Sequence, residues 1–293
     1  MNARVTLRAP AKLNLSLEIL SRTGNGLHGL RSVMVPVTIF DDIELAPSPS
    51  GYRFSCSLPQ LEQDNLAEAA LRALPVASRD VAVRLIKRIP MQAGLGGGSS
   101  DAAAILIAAQ QGLFELTSTP NYLATARELG SDVPFFLAQT AALVEGTGER
   151  VTPLGHVPRW YAIVVKPPVS ISTAEAYRRF DEQPHETRKR SHSIGIRLGE
   201  ALQRADFDLA IDLLHNDFHD DCAALYPDVR AALTALRDAG AQRPLLSGSG
   251  SAVYALMRTE AEQQALLARL ELPDGFDVLP CAFCCAQGWR ASS

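Results

Sequence analysis

The sequence predicts an α+β protein in two domains, and three observations carry that expectation. Strand-like alternation of apolar and polar residues dominates the first part of the chain. A glycine-rich loop at 94–98 runs straight into a segment apolar on every face, which reads as a buried helix. The C-terminal part ends in a strand–helix–strand tail, separated from the rest by a stretch at 153–159 with Gly155, Pro158 and few apolar residues. The division falls near 157, giving units of 1–157 and 158–293.

Composition supports this and excludes several classes of function. At 293 residues, 47% hydrophobic and 20% charged, the chain has apolar material for two ordinary cores. Its 28 basic and 32 acidic residues leave a net charge of −4, which argues against a nucleic-acid partner. No run approaches the ~18 apolar residues of a membrane span. The start, Met1-Asn2-Ala3-Arg4-Val5, lacks an apolar signal core, so a cytoplasmic location is expected. Cys281-x-x-Cys284-Cys285 has the look of half a zinc site without its other half, so buried free thiols are expected there. Only Lys12, Lys87, Lys166 and Lys189 are lysines, against 24 arginines, a skew that asks for a local reason wherever lysine is kept.

Val5, Leu7 and Ala9, then Leu13, Leu15, Leu17 and Ile19, alternate with polar residues as strands with one buried face. That spacing puts Lys12, Asn14, Ser16 and Glu18 on the opposite face, either as a solvated surface or projecting into a site. The turn from Arg22 to Leu30 carries His28, and its Gly24, Gly26 and Gly29 match the dinucleotide fingerprint literally. An extended-looking Ser32–Val37 follows instead of a helix, so the match is read as chance. Strands are expected at 32–45 and 52–57 around a Pro/Ser/Gly turn. Asp64-Asn65 caps a helix reaching Leu74, and 81–87 is a strand delivering the chain to the loop.

Beyond the buried helix at 101–112, a helix from about Pro120 ends at Gly130, expected as a C′ glycine. Asp132, with Pro134 behind it, has the form of an N-cap. Segments 141–145 and 150–154 pair about Gly146-Thr147-Gly148, and a new strand starts at Trp160. Residues 183–193 read as a polar loop with a basic run at Arg188-Lys189-Arg190. His215 and His219 stand at i, i+4 among carboxylates, a metal spacing that lacks the intervening glutamate of zinc peptidases. A helix at 228–239, a Gly/Ser loop at 247–251, a helix at 263–270 and a strand at 276–279 complete a ferredoxin-like layer.

The most informative stretch is Pro90-Met91-Gln92-Ala93-Gly94-Leu95-Gly96-Gly97-Gly98-Ser99-Ser100-Asp101. Glycines feeding a helix N-terminus gather free N–H groups and the positive end of the helix dipole at one spot, which suits phosphate. Ser99 follows Gly98 where a P-loop needs lysine, so this is not that motif. A flexible Gly/Ser linker is the plain alternative, but linkers do not lead into buried helices.

This stretch resembles the phosphate loop of the kinase superfamily named for galactokinase, homoserine kinase, mevalonate kinase and phosphomevalonate kinase (GHMP). Its Gly-Gly-Gly-Ser-Ser form is most similar to the 4-diphosphocytidyl-2-C-methyl-D-erythritol kinases within it. Similarity extends to Pro10–Leu15, to Ser131–Leu137 with its Asp-Val-Pro, to Pro167–Tyr177, to Asn216-Asp217-Phe218 between the two histidines, and to the loop at 247–251. The resemblance implies the two-domain GHMP kinase fold, its N-terminal half like a small-subunit ribosomal protein domain and its C-terminal half ferredoxin-like. It implies ATP and Mg²⁺ as cofactors, a cytidine-diphosphate-linked methylerythritol as small-molecule substrate, and a monomer or weak homodimer. By the same resemblance Lys12 and Asp132 are catalytic. ATP would meet Asn65, Lys87, Pro90, Met91, Gly94, Leu95, Gly96, Gly97, Gly98, Ser99 and Ser100, with Ser99 or Ser100 near the metal. Asn14, His28, Thr173, Tyr177 and Gly248 would bind the acceptor. The sequence departs from the family at Leu27, where a tyrosine would stack on cytosine. Another acceptor of the superfamily, or a catalytically silent sensor on the same fold, are the competing readings.

Overall fold

A computed structural model describes residues 4–22, 26, 28–78, 80–182 and 193–284. The expectations for Gly24, Leu27, the tract 183–192 with Lys189, and Cys285 lie outside the described residues. The N-terminal alternation becomes β1 (Val5–Asn14) and β2 (Ser16–Arg22), consecutive strands broken only at Leu15. Both lie antiparallel along one edge of β3 (His28–Pro47), whose 20 residues form the spine of the first sheet. After β4 (Arg53–Cys56) and α1 (Leu66–Ala73), β5 (Val81–Ile86) pairs antiparallel with β3 and parallel with β4. Next come α2 (Gly97–Gln110), α3 (Tyr122–Leu129), α4 (Val133–Leu137) and the hairpin of β6 (Ala142–Gly146) and β7 (Arg150–Pro153).

The remainder begins with β8 (Tyr161–Lys166) and α5 (Thr173–Glu182). It continues through α6 (Ile194–Gln203), α7 (Phe207–Leu213), β9 (His215–Asn216), α8 (His219–Leu225) and α9 (Pro227–Asp238). It ends with β10 (Leu245–Leu246), β11 (Val253–Met257), α10 (Glu260–Leu267) and β12 (Asp277–Ala282). The second sheet is antiparallel throughout, in the order β10-β11-β8-β12. The short β9 leaves its own half and pairs parallel with β2, so the two halves are stitched at the backbone. One core cluster likewise mixes Leu13 and Val35 with Trp160, Leu198 and Tyr254.

Helix α2 is the centre of the first half. Every residue from Ser100 to Ala109 is buried, against β1, α1 and α4. Its alanines let these elements approach closely, as a helix without an exposed stripe requires. It starts at Gly97, ahead of the expected residue 101, because the glycines themselves take helical form once Gly96 has turned the chain at φ +73°. Gly130 is not a left-handed cap: its φ is 164°, extended backbone that starts the turn into α4. Helix α10 starts at Glu260, earlier than expected, because Thr259 and Glu262 form a capping box.

The polar face of β1 and β2 is not solvated. Lys12, Asn14, Ser16 and Glu18 are each at most 4% exposed, as buried as the leucines between them. Glu18 explains its own burial: its carboxylate accepts from Ser193 Oγ (2.9 Å) and the N–H of Gly195 (3.0 Å), capping α6 from 175 residues away in the chain. Asn14 Nδ2 donates to Ser32 Oγ (2.8 Å), which donates to the carbonyl of Ser16 (2.5 Å). What remains of that face, Lys12 and the Asn14 amide oxygen it donates to, borders the cleft shared with the phosphate loop. Among the described residues no helix is long and apolar enough to cross a membrane.

Candidate active site

The phosphate loop is seated by backbone on both sides. Lys12 N–H donates to the Leu95 carbonyl (2.9 Å), and Ala252 N–H to that of Ala93 (3.2 Å). Ser247 Oγ adds a hydrogen bond to the Gly94 carbonyl (3.1 Å). The 90–100 loop is thus clamped between β1 and the Gly/Ser loop of the other half. Gly94 needs to be glycine: at φ +73° a methyl group there would lie 2.0 Å from the Ser247 carbonyl oxygen. No side chain caps α2. Its first N–H groups have no intrahelical acceptor and face a cleft of about 570 Å³.

Lys12 and Asp132 stand on that cleft with Nζ and Oδ2 3.7 Å apart. Asp132 is in the N-cap position of α4 but makes no capping hydrogen bond, so its carboxylate is available to the lysine. Lys12 Nζ also donates to Asn14 Oδ1. Burial pulls the Lys12 ammonium below the ordinary lysine value, and Asp132 opposes that pull. Gly248 closes the corner, its Cα so near that a methyl would lie 3.2 Å from both Lys12 Nζ and Asn14 Oδ1.

The other wall comes from α5 and its surroundings. Thr173 Oγ1 is 3.0 Å from Ser249 Oγ, and Tyr177 stands edge-on to Phe218 with centroids 5.0 Å apart. Burial, and after it the Asp132 carboxylate, push the Tyr177 phenol up to about 12. His28 is off the cleft wall but stacks on Tyr177 at 5.8 Å and an interplanar angle of 16°. Its Nε2 meets Asp181 Oδ1 at 2.7 Å and its Nδ1 the Leu20 carbonyl at 3.0 Å.

The cleft therefore gathers Lys12, Asn14, Asn65, Lys87, Pro90, Met91, the loop from Gly94 to Ser99, Asp132, Thr173, Tyr177 and Gly248. Ser100 is the exception on the loop: it is fully buried beneath it, while Ser99 faces the cleft. Asn65 caps α1 through Ala67 N–H (2.9 Å) and still reaches the wall. Sequence reasoning missed Asn216, whose Nδ2 donates to the carbonyls of Leu246 and Gly248 (both 2.8 Å) and so fixes the Gly/Ser loop. It also missed Ser249 and Phe218 on the wall. Alternating serine and glycine at 247–251 was the available signal for Ser249, and for the other two it was the likeness of Asn216-Asp217-Phe218 to the kinase family, which marked the segment without giving either residue a role. The histidine pair has other partners: His215 Nε2 meets Asp217 Oδ1 at 2.7 Å, and His219 Nδ1 accepts from Leu246 N–H at 3.3 Å.

Two family models match the chain: the GHMP kinases N terminal domain over residues 65–140 and the GHMP kinases C terminal over 199–273. The chain is 37% identical over 272 residues to the 4-diphosphocytidyl-2-C-methyl-D-erythritol kinase of Deinococcus radiodurans, covering 89% of this chain and 87% of that one. The chain belongs to the 4-diphosphocytidyl-2-C-methyl-D-erythritol kinase family. A crystal structure of 4-(cytidine 5'-diphospho)-2C-methyl-D-erythritol kinase superposes with TM-score 0.72 at 31% identity, over 95% of this chain and 99% of that one. A homoserine kinase from Cytophaga hutchinsonii reaches the same TM-score, 0.72, at 20% identity, over 97% of this chain and 96% of that one. Backbone shape is thus shared across the superfamily, and sequence identity is what places this chain within one of its kinase families. The family is one of ATP-dependent kinases of isoprenoid biosynthesis that act on a small molecule.

Proposed function

We propose that the protein transfers the γ-phosphoryl group of ATP to the 2-hydroxyl of 4-diphosphocytidyl-2-C-methyl-D-erythritol, with Asp132 as the base. One observation carries the reading: a carboxylate freed from helix capping faces a buried lysine on the cleft that the phosphate loop opens into. Asp132 takes the hydroxyl proton as that oxygen bonds to the γ-phosphorus, and the bond from phosphorus to the leaving ADP oxygen breaks. The Lys12 ammonium keeps Asp132 ionised and offsets charge gathering on the transferred group. Backbone N–H groups at the start of α2 hold the ATP phosphates, and Asn65, Lys87, Pro90 and Met91 border the nucleotide. Asn14, Thr173 and Gly248 flank the acceptor, and Tyr177 receives cytosine with His28 stacked against it, so that His28 reaches the base only by leaving Asp181.

A dedicated metal cage is not needed for this chemistry. Mg²⁺ at such sites takes phosphate oxygens and one or two protein ligands. Among the described residues no cluster of three or more His, Cys, Asp or Glu suits a metal, but the Ser99 hydroxyl lies on the cleft wall where an ATP-borne ion would sit. When bound, Mg²⁺ supplies charge neutralisation on the phosphates. Residues 1–157 form the nucleotide-binding and catalytic unit in this reading and 158–293 the acceptor unit, in a cytoplasmic monomer or weak dimer.

The test is ATP consumption by the purified protein with the cytidyl substrate, homoserine and mevalonate in turn, alongside Asp132→Asn. Turnover confined to the cytidyl substrate is expected, with kcat of the variant down about 10²–10⁴-fold and KM for ATP little changed. Near-normal kcat in Asp132→Asn removes the base assignment. Turnover with another alcohol moves the acceptor and leaves the mechanism. ATP binding without any turnover favours the sensor.

A further inference from the structure

Three buried titratable side chains lie beneath the phosphate loop: Lys87, which borders the nucleotide, and the carboxylates Asp41 and Asp101, which have no part in the phosphoryl transfer. Asp41 sits on β3, fully buried. Its Oδ1 accepts from the N–H groups of Arg88 (2.5 Å) and Ile89 (2.8 Å), where the chain leaves β5 for the loop. Its Oδ2 accepts from Lys87 Nζ, which also donates to Asp101 Oδ2 at 2.7 Å. Asp101 is in α2, where the chain has left the loop. One carboxylate on the central strand therefore ties down both ends of the 90–100 segment.

Lys87 is placed as a strut. A methyl group on Gly97 would lie 3.2 Å from its Nζ, so the ammonium lies against the first residue of α2. Burial alone would lower the ammonium, but Asp101 and Asp41 outweigh that and hold it above the ordinary lysine value. Two carboxylates against one ammonium would leave excess negative charge in a dry site. Burial drives Asp101 well above the usual carboxylate range, and its Oδ1 has no hydrogen-bond partner among the described residues. Asp41 is the carboxylate that reaches both the backbone before the loop and the Lys87 ammonium, whereas Asp101 meets the lysine through one oxygen only.

We propose that Asp41 and Lys87 are a positioning pair for ATP: the pair fixes both ends of the phosphate loop to β3 and so sets where the N–H groups of α2 stand. Lys87 then serves ATP through the loop and not by a direct salt bridge to phosphate. The inference rests on the kinase reading above, so its test is binding of ATP itself, independent of any acceptor. Titration calorimetry of the full chain with Mg²⁺ and a non-hydrolysable ATP analogue compares wild type, Asp41→Asn, Lys87→Met, their double variant and Asp101→Asn.

Asp41→Asn and Lys87→Met are each expected to weaken the analogue about tenfold or more, because each breaks the buried ion pair that ties β3 to the ends of the loop. The double variant should be no worse than the worse single, since the two act as one unit. Asp101→Asn keeps an amide oxygen where Asp101 Oδ2 accepts from Lys87 and leaves the Asp41 contacts intact, so it should lose about threefold or less. In steady state KM for ATP should rise while KM for the acceptor stays put, a split that mere loss of folded protein cannot produce. Equal affinity in wild type and Asp41→Asn overturns the proposal, and so does a matching rise in acceptor KM. So does a loss in Asp101→Asn as large as in Lys87→Met. Failure of both single variants to fold makes the pair a stability element and overturns it too. Failure of wild type to bind the analogue instead overturns the kinase reading.

Discussion

Gly94→Ala tests the clamp on the phosphate loop most directly. Two costs can be separated from the structure. The backbone of Gly94 is left-handed at φ +73°, which costs an L-residue about 1–2 kcal/mol. A methyl group would also lie 2.0 Å from the Ser247 carbonyl oxygen and 3.1 Å from Gly250 N. These are backbone atoms of the opposite loop and cannot swing aside as a side-chain tip would, so overpacking adds about 1–3 kcal/mol. Together the loss is about 2–5 kcal/mol. Gly112 is the matched control, since its φ is +76° and nothing lies within 4 Å of an added methyl. Gly112→Ala should carry only the conformational cost of about 1–2 kcal/mol. Urea unfolding of both variants, with m unchanged, reads the difference. ATP binding should weaken in Gly94→Ala alone, because the two loops must part to admit the methyl. Equal midpoints and intact ATP binding in both variants would refute the idea that the loops are locked together at this glycine.

Lys12 and Tyr177 give two more expectations. Burial lowers the Lys12 ammonium, so kcat/KM should fall on the alkaline side below the free-lysine value of 10.5, as the ammonium loses its proton. The unfolded chain holds that proton more tightly, so stability at this group rises with pH through the same window while activity falls. Lys12→Arg, which does not titrate there, should be slow without that alkaline limb; an unchanged limb would assign it to another group. Tyr177→Ala removes a ring expected to stack on cytosine, worth about 1–3 kcal/mol, and should raise acceptor KM roughly 10–100-fold. An equal rise in KM for ATP would show that the ring only supports the cleft.

Local pattern was enough for elements whose partners are near in sequence. Asn65 before Leu66 announces its helix because the cap is satisfied within the same turn, by Ala67 N–H. The phosphate loop is legible for the same reason: glycines and helix start are adjacent. Alternation at 5–19 gave the strands but not the environment of their polar face, since what covers Glu18 is α6, far along the chain. Helices α6 and α7 were not anticipated. Their N-caps, Ser193 and Asp206, are ordinary polar residues, and their packing is on the distant strands β2, β3 and β6 and on each other. Asp132 shows the opposite limit. Its sequence context fits an N-cap and its position is that of one, yet the carboxylate turns away because Lys12 offers a charge. Only the fold could decide between the two partners.

The scarcity of lysine finds its reason at these sites. All three described lysines have buried side chains, and each holds something that arginine's wide planar fork would not fit. Lys12 is wedged between Asn14 and Gly248, Lys87 beneath Gly97, and Lys166 donates to the carbonyls of Pro167 and Val169, at the start of the segment leading to Thr173. A compact ammonium on a flexible stem reaches such corners, and its charge can respond to burial where a guanidinium cannot. Arginines meanwhile serve the surface pairs, as at Arg72 with Glu68 and Arg178 with Glu175 and Glu182. In a chain with 24 arginines, a retained lysine is therefore a pointer to a buried cation, and here two of the four border the cleft.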